Sequence, residues 1–247
     1  EEFNRLHNTD KEISTPRVGG VIIWFSVLCT VALMFILSVV FPSGVTEKLN
    51  FLSRNQTLIP LATLILTALI GLVDDMLQIS GKGSYAKDGV TYRKVKIVSV
   101  ILIGLAISLW FYIKLQATAI HIPFWGELEL GLWFIPFFIA VMLATFSTSV
   151  IDGMDGLAGG IMATIFTAYG VIAYFNTQID LAAFCAVVGG ATLAFLWFNI
   201  PPARFYMGET GILALTITLS VVAFLTNSVL FLPVIAVPLV ATTLSDQ

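Results

Sequence analysis

Long apolar runs separated by short polar stretches set the rhythm of this chain. The runs fall at about 20–42, 57–73, 97–113, 132–150, 157–174, 181–199 and 211–226, and an eighth extends from Asn227 to about 243. Each is close to the roughly 20 residues that cross a bilayer as a helix. Punctuation agrees with the pattern. Gly19-Gly20 leads into the first run, Pro42-Ser43-Gly44 ends it, Pro201-Pro202 ends the sixth, and Asn227 breaks the seventh. Pro233 and Pro238 lie inside the last run, where a spanning helix tolerates a kink. The longest polar loop is 76–96, and short alternation between 114 and 130 predicts a small hairpin outside the membrane. The expected fold is therefore all-α: a polytopic transmembrane helical bundle of about eight spans, forming one domain over 1–247.

Composition supports this and removes other classes. The chain is 58% hydrophobic and 11% charged, with a mean hydropathy of +0.97. An ordinary soluble domain and a disordered chain are both excluded. The strict alternation of a membrane β-barrel is absent, and no basic cluster points to nucleic acid. Cys29 and Cys185 lie inside apolar runs without metal or disulfide spacing and read as small core residues. There is no internal repeat. The chain starts at Glu1 without a signal-like segment and stops at Gln247 just after an apolar run, which reads as truncation at both ends.

Charge placement gives the orientation. If residues 1–18 face the cytoplasm, the spans alternate so that Arg5, Lys11, Arg17, Lys82, Lys87, Arg93, Lys94, Lys96 and Arg204 fall on that side. Only Lys48, Arg54 and Lys114 fall on the other, as the positive-inside rule requires. The same alternation, made without reference to acids, brings Asp74, Asp75, Asp152, Asp155 and Glu209 to the cytoplasmic side.

Those acids are costly beside a bilayer and mark a candidate site. The central stretch is Ile151-Asp152-Gly153-Met154-Asp155-Gly156-Leu157-Ala158-Gly159-Gly160, flanked in function by Asp74-Asp75 and Gly208-Glu209-Thr210-Gly211. Clustered carboxylates repel unless protonated or joined by a cation. Mg²⁺ takes one or two carboxylates and completes its shell with water and phosphate oxygens, and nearby Lys and Arg suit remaining phosphate charge. Glycines allow close backbone approach, and the helix starts at Asp155-Gly156 and Glu209-Thr210-Gly211 offer N–H groups to anions. Each piece alone has a plainer reading: Asp74-Asp75 as a solvated helix end, Asp152 and Asp155 as N-caps, Glu209 as a first-turn acid favoured by the helix dipole. His121 falls on the outer side and reads as structural. The joint pattern argues for phosphate chemistry at the inner membrane surface.

At these motifs the chain resembles the polyprenyl-phosphate N-acetylhexosamine-1-phosphate transferases, a superfamily with MurNAc-pentapeptide and UDP-GlcNAc branches. Thr15-Pro16-Arg17-Val18-Gly19-Gly20 looks like the first cytoplasmic motif, Gly71-Leu72-Val73-Asp74-Asp75 like the aspartate pair, Asp152 to Ala158 like the DGLDGLA motif, and Pro202 to Gly211 like the PAxxFMGDTG motif. The family has ten spans, so the chain reads as a fragment lacking the first span and the last two, with the family's histidine loop beyond Gln247. Four positions depart from the pattern: Glu209 replaces Asp, Ser149 replaces Asn, Gln78 replaces Lys and Ile212 replaces Ser.

The resemblance implies a multi-pass enzyme of the bacterial cytoplasmic membrane, an EC 2.7.8-type transferase in cell-wall (peptidoglycan) synthesis. Undecaprenyl phosphate would attack a UDP-amino sugar to give a lipid pyrophosphoryl sugar and UMP. Asp74, Asp75, Asp152 and Asp155 are the expected catalytic residues, with Glu209 and Asp155 on Mg²⁺ (or Mn²⁺). Lys11, Lys94, Lys96, Ser149 and Gly208 are expected to bind substrate. A homodimer is compatible with the family. Loop 76–96 and the Thr-Pro sequence look more like the MurNAc-pentapeptide branch, and Phe198-Asn199-Ile200-Pro201-Pro202 at least as much like the GlcNAc branch. The reading leans to the former. An ion-coupled transporter and an inactive scaffold homologue are the alternatives of another class; transporter sites sit near the midplane, whereas these acids sit at span ends.

Overall fold

The computed structural model describes residues 16, 18–43, 55–79, 89–122, 125–147, 156–201 and 203–235. The elements are α1 (Gly20–Val40), α2 (Asn55–Ile79), α3 (Gly89–Lys114), β1 (Ala119–Ile122), β2 (Gly126–Glu129), α4 (Phe134–Ser147), α5 (Leu157–Phe175), α6 (Ile179–Asn199), α7 (Gly208–Leu225) and α8 (Leu232–Ile235). Short 3₁₀ turns at Gly131–Trp133 and Val229–Phe231 lead into α4 and α8. Among the described residues, α1, α2, α3, α5, α6 and α7 each contain a stretch long and apolar enough to cross a membrane, and α4 is a shorter apolar helix. Most of the expected eighth run lies outside the described residues; α8 marks its beginning.

The helix α7 is the axis of the bundle. Of its spanning stretch 89% is buried, against 22% for α1 and α3. A helix so enclosed needs its polar side chains satisfied from within. Thr216 donates to the Ile212 carbonyl at 2.8 Å, and Ser220 and Thr145 of α4 join hydroxyl to hydroxyl at 2.6 Å. The helix α2 makes the most extensive packing against it. α5 and α6 pair through small residues: the Gly170 face meets Cys185, and the Gly189 face meets Thr167 and Ala163.

Large apolar side chains such as Phe25, Phe35 and Ile36 on α1 and Leu66 on α2 point outward, as lipid-facing positions should in a bundle of spanning helices. Cys29 is exposed on this outer surface of α1 and is not a core residue; Cys185 is buried. The apolar run around Cys29 is apolar because it faces lipid, a cause that composition does not separate from core burial.

The two ends of the bundle differ. At one end Phe111, Phe134, Phe138 and Phe224 form an aromatic cluster, with Phe138 and Phe224 stacked at 4.3 Å between centroids. The expected hairpin sits there: β1 and β2 pair antiparallel with Ile120 opposite Leu128 and His121 opposite Glu127. Asn227 holds it down. Its side-chain oxygen accepts the His121 N–H at 3.2 Å, and its amide nitrogen donates to Glu127 at 3.2 Å. His121 pairs with Glu127 at 3.3 Å, a structural role. The other end gathers the acids.

Two helix boundaries differ from the sequence expectation. α2 does not stop at Asp74-Asp75 but continues to Ile79, and α3 starts at Gly89, so Lys94 and Lys96 ride on its first turns instead of in a loop. Asp74, Asp75 and Lys96 have partners on other helices and need no loop to reach water, whereas Lys94 is exposed on the helix surface.

Candidate phosphate site at one membrane end

Four close approaches assemble this end. The lead-in to α1 is tied to the segment before α7: Tyr206 N–H donates to Pro16 O at 2.9 Å, Gly19 N–H to Tyr206 O at 2.9 Å and Gly20 N–H to Met207 O at 2.7 Å. Gly20 then lies directly against Gly211, where any β-carbon would collide with backbone. Gly71 of α2 lies in the same way against the carbonyl of Glu209. The hydroxyl of Thr210 donates to Ala68 O at 2.9 Å, seating the first turn of α7 on α2. The glycines of three separate motifs thus serve helix contact.

A further approach is made by Asn199, the last residue of α6. Its side-chain oxygen accepts the Gly156 N–H at 2.9 Å and its amide nitrogen donates to Phe205 O at 2.9 Å. Gly156 has φ 78° in front of α5, and Gly208 has φ 68° at the start of α7, a region where glycine alone carries no steric cost. Phe205 stacks on Phe198 at 5.7 Å, and the Arg204 guanidinium lies over the Phe198 ring at 5.9 Å.

The charged centre is formed by Asp74 on α2, Lys96 on α3 and Glu209 on α7. The Lys96 ammonium makes an ion pair with Glu209 and lies 3.6 Å from Asp74 Oδ2. These three line one recess of about 140 Å³, walled by Gly71, Val95, Ser99 and Leu213. Lys94 is exposed and does not line it; two residues along a helix turn a side chain about 200° away. Asp75 also stays out of the recess. Its oxygens accept the Glu209 N–H at 3.0 Å and the Thr210 N–H at 2.9 Å. Those N–H groups at the start of α7 are therefore taken by Asp75, and the expectation that they are free for an anion is corrected. Gly208 contributes the turn into α7; its backbone is buried. Asp152, Asp155, Ser149 and Lys11 lie outside the described residues, as does the side chain of Gln78.

An apolar groove opens beside the recess. It runs between α2 and α3, has a volume of about 780 Å³, and is lined by residues including Ala62, Leu66, Ile103, Ala106 and Trp110. Ile70 lines both groove and recess, so the two adjoin. Lys114 marks the far end. From Lys96 to Lys114 the helix rises about 27 Å at 1.5 Å per residue, close to the hydrocarbon thickness of a bilayer.

The recess suits a hard divalent cation by its chemistry. Two carboxylates face a single ammonium, leaving surplus negative charge and hard oxygen donors. Among the described residues no group of three or more His, Cys, Asp or Glu gathers as a metal cage. Asp74 and Glu209 are the carboxylates that would hold such an ion, and Mg²⁺ commonly takes one or two carboxylates and keeps water and phosphate in its shell.

Asn199 and Phe205 were not singled out as site residues from the sequence. The signal for Asn199 was present: an amide at the last position of a 21-residue apolar helix, where a buried polar group must have partners.

Fold and site together define a polytopic helical membrane protein with an acid–base recess at one end of its bundle. The family model described as Glycosyl transferase family 4 matches residues 57–227, and the chain belongs to that family. It is similar to proteins named phospho-N-acetylmuramoyl-pentapeptide-transferase. One from Chloroflexus aurantiacus is 35% identical over 244 residues, covering 96% of this chain and 62% of the relative. One from Clostridium perfringens is 35% identical over 237 residues, covering 95% and 68%. One from Geobacillus thermodenitrificans is 36% identical over 252 residues, covering 99% and 71%. The chain thus spans about three-fifths of the length of the Chloroflexus relative.

Proposed function

We propose that the whole protein transfers phospho-N-acetylmuramoyl-pentapeptide from its UDP carrier to undecaprenyl phosphate at the cytoplasmic face of a bacterial membrane, releasing UMP. The observation that carries this is the junction at Ile70. There a charged recess lined by Asp74, Lys96 and Glu209 adjoins an apolar groove between α2 and α3. A substrate that is a phosphate on a long hydrocarbon chain has both halves accommodated. The names of the relatives support the choice of sugar. Lys94, Lys96 and Arg204 lie toward the site end and Lys114 at the far end of α3, which supports the orientation.

The chemistry asks little covalent help of the protein. A phosphate monoester with a second pKa of about 6 is already mostly ionised near neutral pH. Its oxygen attacks the sugar-linked phosphorus, the bond from that phosphorus to the bridging oxygen breaks, and UMP leaves with that oxygen. The task for the residues is to bring two anions together and hold them in line. Lys96 neutralises phosphate oxygens as a point charge. Asp74 and Glu209 would hold Mg²⁺, which when bound neutralises pyrophosphate charge and eases departure of UMP. Asp152 and Asp155 are proposed to complete the acid set. Glu209 keeps the charge of the family's Asp with one more methylene.

The test uses full-length protein in detergent with undecaprenyl phosphate and Mg²⁺. UMP release is followed with UDP-MurNAc-pentapeptide and with UDP-GlcNAc in parallel. Release with the first donor alone, lost on adding EDTA, supports the proposal. Release with UDP-GlcNAc alone moves the protein to the other branch, which the Phe198–Pro202 run favours. No release from folded protein with either donor overturns the enzymatic reading.

A further inference from the structure

Asp74 and Asp75 are adjacent on α2, yet they face different surroundings. Asp74 lines the recess with Lys96 and Glu209. Asp75 is 3% exposed and does not line it. Consecutive helical residues point about 100° apart, so one carboxylate reaches the recess while the other turns into the α2–α7 contact.

What Asp75 does there is specific. The first N–H groups of a helix have no partners within it. At α7 the N-cap position is Met207, which supplies no side-chain hydrogen bond. Asp75 supplies the cap from another helix, with one oxygen on the Glu209 N–H and the other on the Thr210 N–H. Such charge-assisted bonds at a helix start are strong and well aligned with its dipole. Thr210 on Ala68 and Gly71 against Glu209 O fix the same turn on the same helix.

We propose that Asp75 is a positioning residue for the phosphotransfer reaction, acting through Glu209. By holding the backbone of Glu209, it sets where the Glu209 carboxylate meets Lys96. Two carboxylate oxygens engaged by backbone N–H groups, in a residue almost wholly buried, are not placed to take a proton from a lipid phosphate or to touch it. Of the aspartate pair, Asp74 alone faces substrate. This inference rests on the reading of the recess as the transfer site.

The test has two arms, both on full-length protein. In the first, Glu209→Cys is introduced with other cysteines replaced, and its labelling by a polar maleimide is timed. Adding Asp75→Asn should raise the rate at least about fivefold, because one N–H of the helix start then faces an amide NH₂ and the turn lifts. Adding Asp74→Asn should change it less than about twofold. Equal rates with and without Asp75→Asn overturn the proposal. This arm needs no turnover, so it stands even if wild-type protein releases no UMP and the transferase reading fails. In the second, kcat is measured for Asp75→Asn, Glu209→Asp and the double variant. Effects that fall short of additivity by about tenfold or more support action through Glu209, and additive effects overturn it. Donor KM should stay within about threefold throughout. If Asp75→Asn melts below the assay temperature, Asp75→Glu serves in both arms, since it keeps two acceptors while displacing the helix start.

Discussion

The side-chain oxygen of Asn199 accepts the backbone N–H of Gly156 at 2.9 Å. Through its amide nitrogen the same side chain holds Phe205 O. One buried amide therefore joins the entry to α5, which follows Asp152 and Asp155 in sequence, to the segment that leads to Glu209. Replacing it with alanine leaves a donor and an acceptor without partners at cost of about 1–3 kcal/mol. Asn199→Ala should lower the melting temperature and reduce transfer. Asn199→Asp should be no milder, because it keeps the acceptor for Gly156 but turns a carboxylate oxygen toward the Phe205 carbonyl. Thermal melting by tryptophan fluorescence and UMP release, measured side by side, check both. A variant with wild-type melting and wild-type turnover removes Asn199 from the site.

Lys96 is the only cation among the described residues that joins the acids of α2 and α7. Without it, Asp74 and Glu209 face each other as like charges. Lys96→Met should reduce transfer by about 10²–10³-fold, the scale of losing a preorganised charge at a reacting phosphate. It should also destabilise the fold. Adding Glu209→Gln to Lys96→Met relieves the repulsion, so the double variant should melt above the single one while remaining inactive. A double variant that melts lower would show that the ion pair does not hold α2, α3 and α7 together.

The hydrophobic rhythm was enough to place the six spanning-length helices and the shorter α4, because lipid and core both demand apolar residues at membrane length. It was not enough to place helix ends. Asp74-Asp75 looks like a terminus in sequence, yet the helix runs on to Ile79, since its acids find N–H groups and an ammonium on other helices. Long-range pairing of this kind leaves no local trace. The gathering of Asp74 and Glu209 was legible from span alternation alone, and Lys96 came with them. The separate tasks of Asp74 and Asp75 were not, because two adjacent acids have the same chemistry until a neighbour distinguishes them. Cys29 shows the converse, since an apolar run reads the same whether it faces lipid or core.

Gly71 and Gly190 separate packing from propensity. A β-carbon at Gly71 would fall 2.5 Å from Glu209 O and 2.6 Å from the Thr210 Cα, both backbone that cannot yield. Gly71→Ala should cost about 1–3 kcal/mol as overpacking and displace the recess. At Gly190 a β-carbon meets nothing within 4 Å, so Gly190→Ala should be neutral or stabilise α6 by up to about 1 kcal/mol. Melting temperatures of the two variants in one detergent decide it. Equal losses at both sites would contradict the close contact of α2 with α7.

The groove between α2 and α3 makes a prediction that depends on lipid length. Ala62 and Ala106 are small residues on its opposite walls. A tryptophan at either fills groove volume without touching Asp74, Lys96 or Glu209. If the hydrocarbon chain of the acceptor runs along the groove from Ile70, Ala106→Trp should raise the KM for undecaprenyl phosphate by about tenfold, the scale of one or two kcal/mol of lost apolar burial. It should leave the KM for the UDP-sugar unchanged. With a lipid phosphate only two or three isoprene units long the penalty should vanish, because such a chain ends before the obstruction. Kinetics with the two acceptors, on wild type and on Ala62→Trp and Ala106→Trp, read this directly. An equal penalty for short and long chains would place the obstruction's effect at the recess itself, and no penalty for either would send the hydrocarbon chain along another face of the bundle.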